Sequence, residues 1–337
     1  MDATALLNTL VAGDDIPESD AVAFLDALMR GEVSAVQAGA ILTALRIKGE
    51  TASEISGFIR AMRAAMIPVD APGALDIVGT GGDNSGTFNI STTAALIAVG
   101  AGAKIAKHGN RAASSKCGSA DVLEALGVRI ELTKSDAERV YAETGMVFLF
   151  APAFHPATKG VVQVRKELKI RTIFNVLGPF LNPAGAKRQL VGVPDAAVAS
   201  TMADVAASLG YERLMIVASD DGMDEVSTAA PTRVYELKGD IREEWVLEPE
   251  RFGFAKPERG ALSGGTAEQN AAIVKSILGG EKGPKRDIAV LNAACGLVVA
   301  GIADSIEDGI ARAEDSIESG SARNVLDALV SATNKHP

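Results

Sequence analysis

Aromatic residues, cysteines and long hydrophobic runs are all scarce in this chain. Only 4% of its 337 residues are Phe, Trp or Tyr, while 47% are hydrophobic, so the core must be largely aliphatic. The two cysteines, Cys117 and Cys295, cannot form a disulfide framework, which favours a reducing, cytoplasmic location. No stretch reaches the roughly 18 apolar residues of a membrane-spanning helix, and the first residues do not have the pattern of a secretion signal. We therefore expect a protein with no membrane partner.

Positive charge is also in deficit. The chain has 33 Lys and Arg residues against 43 Asp and Glu residues, which gives a net charge of −10. A protein that binds nucleic acid or an anionic membrane over its general surface needs a positive excess. The charge balance therefore argues against both classes, although it allows a local basic pocket for phosphate.

Glycine, in contrast, is abundant at 34 residues, and one glycine-rich loop stands at the centre of the pattern. The apolar residues 75–78 predict a buried strand, and the sequence GTGGD (79–83) follows directly. Such a loop has few side chains, so its backbone N–H groups can approach an anion closely. An ordinary tight turn between a strand and a helix is the alternative interpretation.

A second anion-binding feature follows within 45 residues. Asn89, Ile90, Ser91 and Thr92 open a helix of small apolar residues, for which Ser91 or Thr92 is the expected N-cap. The free N–H groups and the dipole of a helix start favour phosphate. A strand at 104–107 then leads into KHGNR (107–111), and hydroxyl-bearing residues precede a further helix at 120–126. The two crossings together predict a cradle for a polyanion, but their spacing is neither that of a P-loop nor that of the dinucleotide fingerprint.

An acidic cluster lies much later in the chain. Four acidic residues fall between Asp220 and Glu225, after an apolar strand predicted at 213–218. Ligands of open α/β folds bind at the carboxyl ends of strands, and oxygen ligands without Cys or His suit Mg²⁺ held jointly with phosphates. We expect a magnesium site here, with a solvated acidic loop as the alternative.

The remaining pattern predicts an α/β protein with a helical start. Residues 1–67 should be helices, with capping boxes at Ser34/Gln37 and Thr51/Glu54, and residues 68–73 a hinge linker. Strands are expected at 128–132, 146–150, 190–193, 213–218, 233–237 and 244–247, the last two antiparallel. Further helices are expected from 135 and at 158–168, 171–175, 196–209, 268–278, 288–300, 305–319 and 322–332. Alternating strands and helices predict a largely parallel sheet.

Seven motifs in this order resemble the anthranilate phosphoribosyltransferase family. They are GTGGD, NIST, KHGNR, SSKCGSAD, VRKELKIRTIFN, LGPFLNP and DDGMDEVS, and the resemblance runs from about residue 25 to about residue 329. It implies a small helical domain (1–67 and about 156–183) that carries a homodimer contact, and a large α/β domain (about 74–155 and 184–337) with a central, mostly parallel sheet. It also implies transfer of phosphoribosyl from phosphoribosyl pyrophosphate to the amine of anthranilate, with Mg²⁺, in tryptophan biosynthesis.

The resemblance further implies roles for particular residues. The residues implied for phosphoribosyl pyrophosphate are Gly79, Gly82, Asp83, Thr87, Asn89, Ile90, Ser91, Thr92, Lys107, His108, Gly109, Asn110, Arg111, Ala112, Ala113, Ser114, Ser115 and Ser119. Those for anthranilate are Gly79, Asn110 and Arg165, and those for Mg²⁺ are Ser91, Asp224 and Glu225. We expect no acid–base residue, only alignment by Lys107, Asn110 and Arg165, because anthranilate already carries a neutral amine.

Several charged or reactive residues keep a plainer interpretation. His108 either lines the path of the aromatic substrate or is a hydrogen-bonded structural residue. Lys166 and Arg171 read as a solvated helix face, whereas the resemblance assigns Arg165 to a carboxylate. Cys117 departs from the small residue expected there, and we interpret it as tolerated rather than nucleophilic.

Two other functions compete with this hypothesis. A pyrimidine-nucleoside phosphorylase shares the architecture, but it would need a different base-binding set in place of KHGN and the Asp224–Glu225 pair. A non-enzymatic relative that binds nucleic acid would need a basic groove, which the net charge of −10 disfavours.

Overall fold

The computed structural model describes residues 1–112 and 116–335, and it begins with four helices. They are α1 (Ala3–Val11), α2 (Glu18–Met29), α3 (Ala35–Lys48) and α4 (Ala52–Ala65). Both predicted capping boxes are confirmed, because Ser34 caps α3 and Thr51 caps α4 with reciprocal hydrogen bonds from Gln37 and Glu54. Gly49 ends α3, as predicted.

A seven-stranded sheet follows in the order β3-β2-β1-β4-β5-β6-β7. The strands are β1 (Leu75–Gly79), β2 (Ile105–Gly109), β3 (Met146–Phe150), β4 (Arg188–Gly192), β5 (Arg213–Ser219), β6 (Thr232–Lys238) and β7 (Ile241–Leu247). The first five are parallel, and β6 and β7 are antiparallel, as predicted. The order reverses between β1 and β4, so this pair forms the switch point at which open α/β sheets bind ligands.

Eleven further helices lie in the described part of the chain. They are α5 (Ile90–Gly100), α6 (Ser119–Ala125), α7 (Lys134–Thr144), α8 (Ala151–Phe154), α9 (Lys159–Leu168), α10 (Phe174–Leu177), α11 (Ala196–Ala207), α12 (Ala267–Leu278), α13 (Pro284–Ala300), α14 (Ile306–Glu318) and α15 (Ser321–Asn334). Short 3₁₀ turns occur at Pro156–Thr158, Gly178–Leu181 and Pro249–Phe252. None of the helices in the described part of the chain is long and apolar enough to cross a membrane.

Two aliphatic cores meet at the sheet. One contains α5 and α13 together with alternate strand residues such as Ile77 and Leu190. The other contains the opposite strand residues, such as Val191, together with α11 and the first four helices. Phe58 of α4 meets Phe174 of α10 edge-on, with 5.7 Å between ring centroids, so α10 belongs to this second core. The N-terminal helices therefore share a continuous core with the sheet. The division of the chain into domains stays a prediction.

Three sequence-based predictions of secondary structure were wrong. Residues 128–132 form no strand, although Val128, Ile130 and Leu132 are buried alternately, because no neighbouring strand pairs with them. The next helix begins at Lys134 and is capped by Thr133, not by Ser135. The short helix expected at 171–175 begins only at Phe174, so Arg171 lies on no helix.

Candidate active site

The GTGGD loop leaves the end of β1 and meets the acidic loop that follows β5. A Cβ on Gly79 would overlap the carboxylate of Asp224, and a Cβ on Gly192, at the end of β4, would overlap the Asp224 backbone. The backbone N–H of Gly81 donates a hydrogen bond to Oδ2 of Asp224 at 2.6 Å. Two glycines at the ends of adjacent strands thus let the acidic loop lie directly against the sheet edge.

The last two carboxylates of this acidic loop, those of Asp224 and Glu225, are buried or half-buried. Asp224 is 9% exposed, and burial, followed by the negative charge of Asp83, raises its pKa to about 7. Burial and the neighbouring Asp224 raise the pKa of Glu225 to about 8. Oε1 of Glu225 accepts a hydrogen bond from the N–H of Ser91 at 3.1 Å. The acidic loop and the start of α5 are therefore in direct contact, as the predicted magnesium set requires.

Lys107 lies beneath this contact rather than on the surface. Its side chain is 1% exposed, and its ammonium donates hydrogen bonds to the carbonyl of Ile77 and, at 3.2 Å, to Oγ of Ser91. Burial lowers the pKa of Lys107, while the charges of Asp76, Glu225 and Asp224 oppose that change. The cation expected to bind phosphate thus also offsets part of the negative charge of the carboxylates around it.

Asp76 and Asn182 form buried hydrogen bonds with each other and with the backbone of β2. Asp76 is fully buried and accepts hydrogen bonds from the N–H of His108 at 3.3 Å and from Nδ2 of Asn182 at 2.8 Å. The same Asn182 amide donates to the carbonyl of Ala106 at 2.7 Å. Burial raises the pKa of Asp76 to about 6, although the Lys107 charge acts against this rise. The sequence analysis assigned no role to either residue.

The start of α5 differs from the prediction in its cap. Asn89 is the N-cap, not Ser91 or Thr92, and its side chain does not cap the helix. Instead, Oδ1 of Asn89 accepts a hydrogen bond from Asn270 at 2.8 Å, and its Nδ2 donates to the carbonyl of Cys117 at 3.3 Å. The helix begins early because Ile90 is fully buried, which places Ser91 and Thr92 in its first turn.

The KHGNR segment ends β2 at the same sheet edge. A Cβ on Gly109 would overlap Ser119, whose hydroxyl donates to the carbonyl of Asn110 at 3.3 Å. The guanidinium of Arg111 bonds to the carboxylate of Glu124 and lies 5.5 Å from the ring centroid of Phe150. Its charge is thus already paired.

The next residues of this segment are described only in part. The N–H of Ala112 donates to Asp121 at 3.0 Å, which ties the segment to the first turn of α6. The predicted residues Ala113, Ser114 and Ser115 lie outside the described residues.

A pair of histidines lies beside this segment. The ring centroids of His108 and His155 are 5.2 Å apart, and both side chains are 6% exposed. Nδ1 of His108 lies 3.3 Å from the carbonyl of Gly178, and burial, followed by the nearby His155, lowers the pKa of His108 to about 3. His108 is therefore a neutral, largely buried ring. His155 carried no signal in the sequence beyond standing in a loop.

The remaining predicted residues lie in the loop before α5 and on α9. The hydroxyl of Thr87 lies 3.2 Å from that of Ser85, and Oδ1 of Asp83 accepts from the N–H of Ser85 at 3.3 Å. On α9, the guanidinium of half-buried Arg165 lies 5.5 Å from the ring centroid of Phe174, and burial lowers its pKa. No carboxylate within residues 1–112 and 116–335 forms an ion pair with Arg165, which leaves this cation available for an acidic ligand.

Comparison with protein-family models defines the class of this protein. The helical bundle domain of the glycosyl transferase family matches residues 4–66, and the a/b domain of the glycosyl transferase family matches residues 71–323. The protein therefore has the two-part architecture of this class of transferase.

Individual relatives narrow the class further. The chain is 47% identical to an anthranilate phosphoribosyltransferase of Thermomicrobium roseum, an alignment that covers 98% of this chain and 97% of the relative. It is 42% identical to the crystal structure of anthranilate phosphoribosyltransferase from Thermus thermophilus, with a TM-score of 0.92 and coverage of 99% and 100%.

The enzyme of Saccharomyces cerevisiae provides complexes with ligands. Its structure with PRPP and Mg matches at a TM-score of 0.89, with 30% identity and coverage of 98% and 97%. Its structure with 4-fluoroanthranilate matches at a TM-score of 0.87, with 29% identity and coverage of 98% of both chains. The chain belongs to the anthranilate phosphoribosyltransferase family, which confirms the predicted resemblance and the expected class of enzyme, a pentosyltransferase.

The residues expected to hold Mg²⁺ fit that ion in their chemistry. Among the described residues, no group of three His, Cys, Asp or Glu side chains forms a ready metal cage. Asp224, Glu225 and the Ser91 hydroxyl nevertheless supply oxygen donors only, and burial together with nearby carboxylates raises the pKa values of both acidic side chains. Such a set suits Mg²⁺ that arrives with phosphates and keeps several of its waters.

Proposed function

We propose that this chain transfers the 5-phosphoribosyl group of phosphoribosyl pyrophosphate to the amine of anthranilate. The amine nitrogen forms a bond to C1 of the ribose, the bond from C1 to the pyrophosphate oxygen breaks, and the amine loses one proton. The products are pyrophosphate and N-(5-phosphoribosyl)anthranilate. The observation that carries the proposal is the meeting of the GTGGD loop, the start of α5 and the Asp224–Glu225 pair at the β1/β4 switch point.

The backbone N–H groups at this edge already donate to carboxyl oxygens. Gly81 donates to Asp224 and Ser91 donates to Glu225, so these donors have the direction and spacing that an acidic group requires. We infer that phosphate oxygens replace the two carboxylates as acceptors when the substrate binds. The displaced carboxylates are then free to act as ligands together with the Ser91 hydroxyl. Mg²⁺ bound there would neutralise the charge of the pyrophosphate leaving group.

The chain's own residues contribute alignment and charge. Lys107 is fixed to Ile77 and Ser91, so it supplies a positive potential at the start of α5 without having to move. Arg165 has the fork geometry that binds a carboxylate through two hydrogen bonds, and we assign it to the anthranilate carboxylate. Gly79 and Asn110 would complete the anthranilate site, and the largely buried His108 would line its entrance.

Two further properties belong to this proposal. We propose a homodimer, because exposed apolar residues of α1 and α3 form a groove on the surface of the helical unit; it is lined by Leu7, Val11, Ala35, Val36, Gly39, Ala40, Thr43, Ala44, Ile47 and Leu168. We also propose a cytoplasmic location, since the two cysteines of the chain cannot form a disulfide framework.

A fluorescence assay tests the reaction directly. The protein is mixed with Mg²⁺, phosphoribosyl pyrophosphate and anthranilate, and the loss of anthranilate fluorescence is followed, with pyrophosphate release measured in parallel. Loss of both signals when any one component is omitted supports the proposal. Cleavage of uridine or thymidine by phosphate, with no consumption of anthranilate, would instead identify a pyrimidine-nucleoside phosphorylase.

The magnesium assignment has its own test. The double change Asp224→Asn with Glu225→Gln keeps the size of both side chains but removes two charged ligands. We expect turnover in saturating Mg²⁺ to fall by more than about 100-fold, because charge stabilisation of a leaving group typically contributes a few kcal/mol. The melting temperature should not fall, since both carboxylates are desolvated in the free protein. Undiminished turnover would exclude their role.

A further inference from the structure

Arg171 connects the helical segment around α9 and α10 with the GTGGD loop. The chain leaves α9 at Lys169, in a left-handed conformation with φ of 53°, and Arg171 follows before α10 begins. The guanidinium carbon and both terminal nitrogens of Arg171 each lie 3.9 Å from the position that a Cβ on Gly82 would take. Three equal distances mean that the guanidinium presents its flat face to the loop. A side chain assigned to a solvated helix is therefore stacked against the predicted phosphate loop.

The charge of Arg171 has no partner within the described part of the chain. No carboxylate of residues 1–112 and 116–335 lies within ion-pair distance of it, and the adjacent Asp83 accepts its hydrogen bond from Ser85 instead. Two other cations near the site already have partners. Arg111 is bonded to Glu124, and the Lys107 ammonium is bonded to Ile77 and Ser91. Arg171 thus keeps its donors free while it lies beside a loop of exposed N–H groups.

The loop itself leaves room for a ligand at this point. Gly81 and Gly82 have φ values of 73° and 77°, a region in which glycine is favoured, so the backbone turns sharply beneath the guanidinium. Neither residue has a side chain that could separate Arg171 from an anion on the loop. A guanidinium offers a planar fork of donors that matches two phosphate oxygens at once.

We propose that Arg171 binds the pyrophosphate group of phosphoribosyl pyrophosphate and holds it against the GTGGD loop. The inference rests on the proposed function and adds a substrate-binding residue to that site. Because the guanidinium contacts the leaving group, it also stabilises the negative charge that develops as the C1–O bond breaks. It comes from a segment packed against the N-terminal helices, so the same contact joins that segment to the sheet edge around the substrate.

Steady-state kinetics of four variants test the assignment. Arg171→Ala should raise the KM for phosphoribosyl pyrophosphate by about 10-fold or more, as expected for the loss of a charge-assisted contact, and leave the KM for anthranilate within about twofold. Arg171→Lys should recover part of the loss, because it restores the charge but not the fork. Lys166→Ala is the matched control, since Lys166 is exposed on α9, and it should match the wild type. Arg165→Ala should show the opposite split and raise the KM for anthranilate.

Calorimetric binding of magnesium pyrophosphate separates this inference from the proposed reaction. Arg171→Ala should weaken pyrophosphate binding by about 10-fold or more, and the measurement needs no turnover. If the wild type fails to consume anthranilate, the proposed function fails while this comparison still decides the role of Arg171. Equal pyrophosphate affinity in wild type and Arg171→Ala, or a rise confined to the KM for anthranilate, would overturn the inference.

Discussion

Four ionisable side chains, one cationic and three acidic, lie close together near the β1/β4 edge of the sheet. Lys107 is surrounded by Asp76, Asp224 and Glu225, and burial disfavours the charged form of each of the four groups. Attraction between Lys107 and the carboxylates offsets part of that cost, whereas the charge of Asp224 raises the pKa of Glu225 further, so a change at one group alters the ionisation of the others. A site built in this way is ready to accept a polyanion with its cation, because both bring charges that the buried groups can pair with.

Titration of His108 should make the free energy of unfolding depend measurably on pH. Its pKa is about 3 in the folded chain, against an ordinary value of 6.5, so the unfolded chain binds more protons between these two values. The free energy of unfolding therefore rises with pH across this window, by at most about 1.4 kcal/mol per pH unit for this one proton, and the contribution is complete above pH 6.5. Between pH 4.5 and pH 6.5, the free energy of unfolding of the wild type should rise by roughly 2–3 kcal/mol more than that of His108→Asn, because the variant lacks this titration.

Urea denaturation at a series of pH values measures this difference. Asn places an amide near the position of Nδ1, so the hydrogen bond to the Gly178 carbonyl can be kept while the titration is removed. Above pH 7 wild type and variant should differ by a constant amount, which serves as the internal control. An unchanged slope in His108→Asn would contradict the assignment of a neutral, buried imidazole.

The sequence predicted residue types at this site better than their surroundings. It identified Lys107, Ser91, Asp224 and Glu225 as members of one site, because their motifs follow the predicted strands and the family resemblance groups them. It did not reveal that Lys107 is enclosed or that Arg111 is paired with Glu124, since both facts depend on how α5 and α6 pack against the strand ends. Arg171 is exposed, as predicted, but it lies on no helix, and its proximity to Gly82 is a long-range contact that the sequence did not reveal.

At the level of elements, glycines at strand ends determine how closely the acidic loop approaches the sheet. Gly79 and Gly192 are partners in the register of β1 and β4, and the backbone of Asp224 lies across both. Periodicity predicted these strands well, because each is a short apolar run with β-branched residues. The same rule failed at residues 128–132, where alternating burial reflects packing on the core without strand pairing.

Gly192→Ala tests this close approach. The added Cβ meets backbone atoms of Asp224, which cannot rotate away, so the acidic loop must shift. We expect stability to fall by roughly 1–3 kcal/mol, the usual cost of overpacking. Turnover should fall by more than about 10-fold at a fixed Mg²⁺ concentration, because displaced carboxylates no longer face the start of α5.

Gly160→Ala is the matched control for this change. The atom nearest to the Cβ position on Gly160 is the carbonyl oxygen of Leu28 at 3.6 Å, an ordinary van der Waals contact, and Gly160 lies within α9, where alanine is favoured. Thermal melting and a titration of activity with Mg²⁺ should show wild-type behaviour for this variant. Wild-type stability and Mg²⁺ dependence in Gly192→Ala would show that the loop does not need the glycine.

At the level of the whole molecule, different helices pack against the two faces of the sheet. The N-terminal helices share a core with α11 and one face of the sheet, while α5 and α13 cover the other face. Alternation along the sequence predicted a largely parallel sheet, but the strand order and the switch point depend on tertiary pairing that no local pattern encodes. The parallel direction of β1, β2 and β5 places the motifs that follow them at one edge, and the strand order brings these motifs close together.

The exposed apolar groove on α1, α3 and α9 predicts how two copies of the chain associate. Val11, Val36 and Ile47 are 72%, 83% and 81% exposed, and they lie in one groove formed by α1, α3 and α9. A two-fold dimer would bury both copies of each residue, one from each protomer, in the same interface. Burial of such a side chain contributes up to about 1.5–3 kcal/mol, so the double change Val36→Glu with Ile47→Glu should weaken the dimer by more than about 100-fold.

Sedimentation equilibrium measures the association, because the monomer has a mass of 34.7 kDa. The wild type should sediment with about twice this mass, and the Val36→Glu/Ile47→Glu variant as a monomer with an unchanged far-ultraviolet circular dichroism spectrum. Ile241→Glu with Val246→Glu is the control, since these residues are 61% and 46% exposed on the edge strand β7, far from the groove in the topology. This control should remain a dimer, because the two new carboxylates stay exposed to solvent. A wild-type monomer at micromolar concentration, or dissociation by the β7 variant alone, would place the interface elsewhere or remove it.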